Sequence, residues 1–247
     1  MRRIVIIGAT SAIAQHCARI WLLREASDIV LCGRDIARLE RVAGDLRVRS
    51  PASRIETRLV EFNDPAAIAT QVDAICEGSS PDIALIAHGV LPQQDECQRD
   101  LAAANTALQV TGVSPVLYAE AFAKHMGQAN RGTLIVIGSV AGDRGRKKNY
   151  VYGAGKALVD RYVEGLQHRF AATQVKVVLA KPGPTETPMT MGLDGRPGRL
   201  APVDVVARQI VDGASRGKAV IYAPPVWRLI MLVIRHLPRF VFNKLDI

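Results

Sequence analysis

The sequence is poor in aromatic residues and in cysteine, and each shortage excludes a class of protein. Phe, Trp and Tyr make up 5% of the 247 residues, and the four cysteines, Cys17, Cys32, Cys76 and Cys97, form neither a CxxC pair nor a Cys/His cluster with metal-ligand spacing. We therefore expect no disulfide framework and no bound metal. Free thiols fit a reducing cytoplasm, where we expect the protein to be found.

Long apolar segments are also absent. The N-terminal apolar run, residues 4–7, is far shorter than the core of a signal peptide. No segment reaches the roughly 18 apolar residues of a membrane span. We expect a protein that is either free in the cytoplasm or peripheral at the inner face of the membrane.

Acidic residues are outnumbered by basic ones, 23 against 32, which gives a net charge of +9. The Lys and Arg residues are scattered over predicted helices, without a zinc finger, an RNP-type aromatic motif or a basic arm, so we exclude nucleic acid as a partner. Two local basic patches remain, residues 144–148 and the C-terminal tail.

Apolar runs alternate with helical patterns from the first residue to about Tyr222. This alternation is typical of βαβ units, and strands rich in Ile, Val and Leu are buried on both faces. We predict one α/β domain, residues 1–225, with a doubly wound, seven-stranded parallel sheet, followed by an amphipathic basic tail, residues 226–247. The predicted strands are Arg3 to Ile7, Asp28 to Cys32, Arg54 to Val60, Ile83 to Ala87, Thr133 to Gly138, Val175 to Ala180 and Ala219 to Tyr222.

A small-residue turn, GATSAIA at residues 8–14, follows the first strand and opens a helix. Such a turn directs backbone N–H groups and the helix dipole at a pyrophosphate, although alanines stand at positions 12 and 14, where glycines are expected. A plain βα turn is the alternative. The candidate cofactor-binding residues here are Gly8, Thr10, Ser11, Ala12 and Ile13.

The second strand leads into Arg34 and Asp35. An arginine at this place pairs with the 2′-phosphate of NADP, whereas an acidic residue accepts from the 2′-hydroxyl of NAD. Because Arg34 comes first, we favour NADPH, and we expect Asp35 to cap the next helix.

Tyr152 and Lys156 stand at i and i+4 of a helical pattern, thirteen residues after Ser139 at the end of the fifth strand. A neighbouring ammonium favours the phenolate and lowers the pKa of a tyrosine toward neutrality, and a serine hydroxyl supports a developing oxyanion. We predict these three as catalytic, and we expect Tyr150 to face the substrate pocket. The Gly-, Pro- and Thr-rich stretch at residues 183–200 is predicted to be a lid, with a floppy loop as the alternative.

With these motifs the chain resembles the short-chain dehydrogenase/reductase family over nearly its whole length, through GATSAIA, GRD, EFND, AHG, GSVAG, YGAGK and KPGPTETPM. The resemblance implies a Rossmann-type fold, hydride exchange with a nicotinamide, and a homo-oligomer. It assigns acid/base catalysis to Tyr152, substrate orientation to Ser139, and ribose binding and tuning of Tyr152 to Lys156. The other cofactor contacts that it implies are Glu61, Phe62, Ala87, Gly89, Pro182, Gly183, Thr185 and Thr187.

Two positions depart from the family pattern. His88 replaces a small residue in AHG, and we expect it to be packed rather than catalytic. The family's proton-relay asparagine aligns with Thr111, whereas Asn105 lies too far upstream of Ser139. We take Thr111 as the aligned site residue, with water held by backbone groups as the alternative relay.

The tail combines Trp, Phe and Leu with four basic residues, which suits either a membrane interface or a packed terminal helix. Together with AGDRGR and NYVYG, it resembles the reductases of decaprenylphosphoryl-2-keto-β-D-erythro-pentofuranose. That resemblance implies a lipid-linked keto-sugar as substrate, a flavin-dependent oxidase as partner, and a cell-wall polysaccharide pathway. Arg144 and Arg146 would then bind the lipid phosphate. The alternatives are a reductase of a small soluble or acyl-carrier-bound ketone and a catalytically silent NADP sensor.

Overall fold

The computed structural model describes residues 1–190 and 200–245. It confirms the predicted seven-stranded parallel sheet, with strand order β3-β2-β1-β4-β5-β6-β7. The strands are β1 (Arg2–Ile7), β2 (Ser27–Gly33), β3 (Arg54–Leu59), β4 (Ile83–Ile86), β5 (Thr133–Ile137), β6 (Lys176–Pro182) and β7 (Val220–Ala223).

Helices cover both faces of the sheet, as the continuous apolar strands predict. They are α1 (Ala12–Arg24), α2 (Ile36–Arg49), α3 (Pro65–Cys76), α4 (Gln94–Arg99), α5 (Leu101–Leu108), α6 (Ser114–Ala129), α7 (Tyr150–Arg169), α8 (Val203–Ser215), α9 (Val226–His236) and α10 (Arg239–Phe242). A π-helical turn (Gln109–Val113) joins α5 to α6, and a 3₁₀ turn (Val140–Asp143) follows β5.

Two buried apolar clusters hold these layers together. One joins the sheet to α1, α2 and α8 through residues such as Leu39 and Val206, and the other joins it to α3, α6 and α7 through residues such as Phe122 and Val163. The strand order reverses between β1 and β4, so the chain leaves these two strands in opposite directions. A crevice forms at such a point, outside the carboxyl ends of the strands.

The C-terminal segment lies against this edge of the molecule. Met231 of α9 is fully buried, and α9 contacts β7 and the 3₁₀ turn. In the part of the chain that the structure describes, no helix has the length and apolar character needed to cross a bilayer. The boundary at residue 225 stays a prediction. Of the predicted lid, residues 191–199 lie outside the described residues, and Thr185 forms a parallel bridge with Ala201.

Candidate active site

A cavity of about 770 Å³ lies at the carboxyl ends of the strands. It brings together most of the residues predicted from sequence, which come from six different strand ends and from α7. These are Gly8, Thr10, Ser11, Ala12, Ile13, Arg34, Asp35, Phe62, Ala87, Gly89, Ser139, Arg146, Tyr152, Lys156, Pro182, Gly183, Thr185 and Thr187. Four predicted residues, Glu61, Thr111, Arg144 and Tyr150, are not part of its wall.

The turn after β1 has the geometry of a phosphate cradle. Gly8 has φ +81°, and a Cβ atom there would lie 2.6 Å from the backbone N of His88. Glycine is therefore required at this position. The Ser11 side chain does not cap α1, so the first N–H groups of that helix remain available beside the cavity. These groups fit the pyrophosphate of a dinucleotide.

Two arginines that follow β2 lie in the cavity wall, Arg34 directly after the strand and Arg38 in the first turn of α2. The Arg34 guanidinium lies 5.2 Å from the centroid of the Phe62 ring. Asp35 caps α2 as predicted, because its carboxylate accepts from the Arg38 N–H at 3.0 Å. Arg38 also lines the cavity, one helical turn beyond Arg34, which the sequence analysis did not predict.

His88 is packed, as expected, but it also borders the cavity. Its ring stacks on Phe62 with centroids 4.3 Å apart, and its Nε2 lies 2.8 Å from the Ser114 hydroxyl. Burial, with help from Lys156 and Arg34, lowers the pKa of His88 to about 3, so the ring is neutral. Its Nδ1 is buried and has no hydrogen-bond partner among the described residues. A bound ligand fits this orphaned nitrogen.

Glu61 lies outside the cavity and organises the loop after β3 instead. Its Oε1 accepts from the backbone N–H groups of Phe62 and Asn63 at 2.8 and 2.9 Å, and its carbonyl accepts from the Tyr118 hydroxyl at 2.5 Å. Glu61 thus holds Phe62 in the cavity wall.

Ser139, Tyr152 and Lys156 converge on the cavity. Ser139 lies two residues after β5 and caps the 3₁₀ turn, and its hydroxyl accepts from the Ala141 N–H at 3.1 Å. The Lys156 ammonium lies 5.9 Å from the Tyr152 ring centroid and donates to the Ile137 carbonyl at 2.8 Å. This confirms the predicted shared helix face and anchors Lys156 to the last residue of β5, two residues before Ser139.

The ionisation of these side chains is set mainly by burial. Burial raises the pKa of Tyr152, and its contact with Ser139 opposes that rise. This is opposite in direction to the lowering that we expected from Lys156, because the loss of hydration outweighs the effect of a neighbouring charge. Burial lowers the pKa of Lys156 to about 8, against the attraction of Asp160. The protonated phenol is therefore the resting form at neutral pH, ready to donate a proton.

Thr111 lies behind the cavity wall. Its hydroxyl donates to the Val90 carbonyl at 2.9 Å and accepts from the Val90 N–H at 3.2 Å, which fixes the loop after β4. A Cβ atom on Gly89 would be 3.5 Å from the Lys156 ammonium and 3.9 Å from the Thr111 hydroxyl. Gly89 thus lies beside both Thr111 and the Lys156 ammonium. The catalytic role of Thr111 stays a prediction. Asn105 is exposed on α5.

A buried ionic cluster stands behind the catalytic residues. The Lys181 ammonium on β6 donates to Asp160 Oδ2 on α7 at 2.6 Å and to Asp143 in the 3₁₀ turn, and the Tyr222 hydroxyl on β7 donates to Asp143 at 3.0 Å. A Cβ atom on Gly142 would lie 2.6 Å from Asp160, so the second glycine of GSVAG makes room for this carboxylate. The cluster joins the segments that carry Ser139, Tyr152 and Pro182.

The two arginines of the basic loop before α7 have different surroundings, and only Arg146 lies in the cavity wall. Arg146 lines the cavity, with a buried Nε that has no partner among the described residues, and burial lowers its pKa. Asn149 lines the same region, and its buried Oδ1 is likewise unpaired there. Tyr150 is exposed at the start of α7.

Arg144 is directed away from the cavity. Its guanidinium donates to the carbonyls of Ile234 and, at 2.8 Å, of Leu237, and it lies 3.7 Å from the centroid of the Phe242 ring. Arg144 therefore caps the end of α9 and is not placed to bind a substrate phosphate in the cavity.

Trp227 completes the cavity wall from α9. Its indole packs so closely on Gly183 that any Cβ atom at residue 183 would overlap it. We did not predict this contact from the sequence. The one indication was the position of Trp227, an aromatic residue that follows the last strand by only a few positions. Among the described residues, no group of three or more His, Cys, Asp or Glu side chains is arranged to hold a metal ion.

The arrangement suits proton transfer to a carbonyl oxygen. Ser139 and Tyr152 present two hydroxyl groups to one region of the cavity, next to Lys156. A dinucleotide fits the remainder, with its phosphates at the Gly8 turn and its ribose near Lys156; when bound, a nicotinamide supplies or accepts hydride.

Comparisons with known proteins agree with this geometry. A sequence model described as short chain dehydrogenase matches residues 2–197. An uncharacterized oxidoreductase of Mycobacterium tuberculosis is 32% identical over 243 residues, covering 98% of this chain and 96% of that protein.

Solved structures have the same fold. A short-chain dehydrogenase from Sphingobium yanoikuyae in complex with NADPH has a TM-score of 0.83 at 24% identity, with 97% of each chain covered. One from Burkholderia cenocepacia in complex with NADP has a TM-score of 0.82 at 17% identity, covering 98% of this chain and 97% of that one. The chain therefore belongs to the short-chain dehydrogenase family and is an oxidoreductase that interconverts CH–OH and C=O groups.

Proposed function

We propose that this oxidoreductase uses NADPH to reduce the 2-keto group of a pentose carried on a polyprenyl phosphate, in a cell-wall polysaccharide pathway. It would work as a homo-oligomer at the inner face of the membrane and receive its substrate from a flavin-dependent oxidase. The observation that carries the proposal is the composition of one cavity wall, where Arg146 and Trp227 stand with the catalytic residues and Trp227 belongs to the amphipathic basic α9.

The choice of NADPH rests on the charge at the ribose end. Arg34 and Arg38 both line the cavity there, while the Asp35 carboxylate is engaged by the N–H of Arg38. Two guanidinium groups favour a 2′-phosphate, and a carboxylate used as a helix cap is a weaker acceptor for a ribose hydroxyl. The two similar structures described above were obtained with NADPH and NADP.

The choice of an anionic sugar substrate rests on Arg146 and Asn149. Both line the cavity and each has a buried polar atom without a partner in the described part of the chain. A guanidinium in a cleft favours a phosphate, and an amide oxygen favours a sugar hydroxyl. The lipid chain of the substrate would extend out of the cavity past Trp227, toward the rest of α9.

In the proposed reaction the keto oxygen lies between the Ser139 and Tyr152 hydroxyl groups. Ser139 donates a hydrogen bond to the oxygen, and Tyr152 delivers its phenolic proton as the carbon accepts hydride. The Lys156 ammonium then stabilises the phenolate, and its bond to the Ile137 carbonyl keeps it on the correct face.

The test is oxidation of NADPH by the purified protein, followed by absorbance. The substrate is a polyprenyl-phosphate-linked 2-keto-pentose formed in situ by a flavin-dependent oxidase, and parallel reactions contain NADH or omit the lipid. Oxidation that requires the lipid and prefers NADPH supports the proposal. NADPH binding without lipid-dependent turnover would reject the substrate and favour a small soluble or acyl-carrier-bound ketone. The silent NADP sensor predicts binding without turnover on any ketone.

A further inference from the structure

Helices α9 and α10 expose an apolar surface that the rest of the described chain does not cover. Leu229, Leu232 and Val233 of α9 are 64%, 56% and 56% exposed, and Phe240 of α10 is 72% exposed. Residues three and four apart share a helix face, so the α9 side chains form one patch. Met231, on the opposite side, is fully buried. We name Val226, Leu229, Leu232 and Val233 the α9 face.

The α9 face is surrounded by positive charge. Arg228, Arg235, Arg239 and Lys244 are exposed, and residues 226–245 contain no Asp or Glu. Across residues 1–190 and 200–245, no carboxylate forms an ion pair with any of these four cations. An apolar strip bordered by unneutralised arginines and lysine complements a bilayer with anionic headgroups, since the cations reach phosphates while the apolar side chains enter the acyl boundary.

The α9 face is held rigidly beside the cavity. Arg144 binds the last carbonyls of α9 and stacks on Phe242 of α10, so that the loop after Ser139 fixes both helices. On the inner side of α9, Trp227 lines the cavity. One helix therefore presents one side to solvent and the other to the reaction site.

We infer that the α9 face is a binding surface for an anionic lipid bilayer and that it brings the cavity to the lipid–water boundary. The inference deepens the proposed function by identifying where a lipid-linked substrate would be met. Vesicle binding is measured without any substrate, so its failure is distinguishable from failure of the reductase assay.

The test is co-sedimentation of the full-length protein with vesicles of phosphatidylcholine alone or mixed with phosphatidylglycerol, at low and high salt. The apolar variant is Leu229→Ser/Leu232→Ser/Val233→Ser. Its matched control, Leu23→Ser/Val48→Ser/Leu101→Ser, removes two leucines and one valine that are 82–83% exposed elsewhere. We expect the wild type and the control to bind the anionic vesicles. The partition coefficient of the apolar variant should be lower by roughly tenfold or more.

A second pair of variants tests the charge. Arg228→Gln/Arg235→Gln/Arg239→Gln should weaken binding to the anionic vesicles and remove most of its salt dependence. Arg41→Gln/Arg54→Gln/Arg216→Gln changes the net charge equally at exposed positions elsewhere and should bind like the wild type. Circular dichroism confirms that each variant is folded. If one triple fails to fold, the single substitutions Leu229→Ser and Arg235→Gln replace it.

Several outcomes would overturn the inference. Wild-type protein that stays in the supernatant with both kinds of vesicle would reject it, as would equal losses in each variant and its control. Size-exclusion chromatography provides a further check. Loss of an oligomer in the apolar variant, with vesicle binding unchanged, would show that the α9 face joins copies of the chain and does not bind the bilayer.

Discussion

The Lys181 ammonium lies 2.6 Å from the Asp160 carboxylate, and the two side chains are only 5% and 4% exposed. This pair joins β6 to the helix that carries Tyr152 and Lys156. A buried ion whose partner is removed keeps the cost of its desolvation, which makes such a pair sensitive to mutation.

Lys181→Met should destabilise the protein by about 3 kcal/mol or more, because Asp143 and Asp160 would remain buried without their shared cation. The free energy of unfolding in urea measures this loss. Lys176→Met is the control, since Lys176 is exposed on the same strand, and it should change stability by less than about 0.5 kcal/mol. Equal stabilities of the two variants would show that the cluster is structurally unimportant.

The titration of the buried Asp160 carboxyl should make the free energy of unfolding depend on pH. Burial raises the pKa of its carboxyl from 3.8 to about 6, against the attraction of Lys181 and Lys156 and with a smaller contribution from Asp143. The folded state then binds more protons than the unfolded state between these two values, so the contribution of Asp160 to the free energy of unfolding falls as pH rises through this window.

Asp160→Asn lacks this titration, so its stability relative to the wild type should improve as pH increases from 3.8 to 6. Urea unfolding across that range measures the difference. Asp73→Asn should show the opposite sign, and mainly below pH 3.8, because His125 and Lys124 lower the pKa of Asp73 and its stabilising contribution is lost as pH falls from 3.8 through the lowered value. A pH-independent difference for Asp160→Asn would contradict the prediction.

Tyr152→Phe should lower turnover by two orders of magnitude or more and leave NADPH binding largely unchanged, because only the proton donor is removed. Steady-state rates and fluorescence titration with NADPH measure the two effects. Tyr162→Phe on the same helix removes a hydroxyl that bonds Glu120 at 2.9 Å, outside the cavity, and should retain activity. Full turnover in Tyr152→Phe would refute the catalytic assignment.

Arg34→Gln should weaken NADPH binding roughly tenfold while NADH binding changes little, because the charge-assisted contact to the 2′-phosphate is lost. The ratio of the two dissociation constants gives the result, with Arg41→Gln on the outer surface of α2 as the control. The same loss for both cofactors would place Arg34 at a group that NADPH and NADH share.

Gly183→Ala should displace Trp227, since the new methyl group would overlap the indole, and the fluorescence of this tryptophan should shift. The displacement should also open the cavity and lower the melting temperature. Gly165→Ala, where no atom lies within 4 Å of the added Cβ, should instead raise stability by about 0.5–1 kcal/mol through helix propensity. An unchanged emission spectrum in Gly183→Ala would contradict the packing described above.

The predictable parts of this protein are those that local sequence determines. Strand burial follows from apolar runs such as residues 4–7, the Gly8 turn from the small-residue segment at residues 8–14, and the Tyr152–Lys156 pair from helical spacing. Arg144 shows the limit. Its charge suggested a phosphate contact, but its partner is a helix end about 90 residues later in the chain. Local pattern does not encode which of many acceptors such a long side chain meets.

The same limit applies to Trp227 and Lys181. Trp227 reaches the cavity because α9 folds back across Gly183, and the Lys181 cluster forms because a turn, a helix and two strands meet behind the cavity. Each contact depends on the placement of whole elements. Only the strand order and the packing of the final helices bring these residues together.

Gly8 and Trp227 border the same cavity although they stand near opposite ends of the chain. During synthesis, the phosphate turn emerges among the first residues, whereas the opposite wall cannot form until α9 has left the ribosome. A chain that ended before α9 would therefore lack the Trp227 side of the cavity.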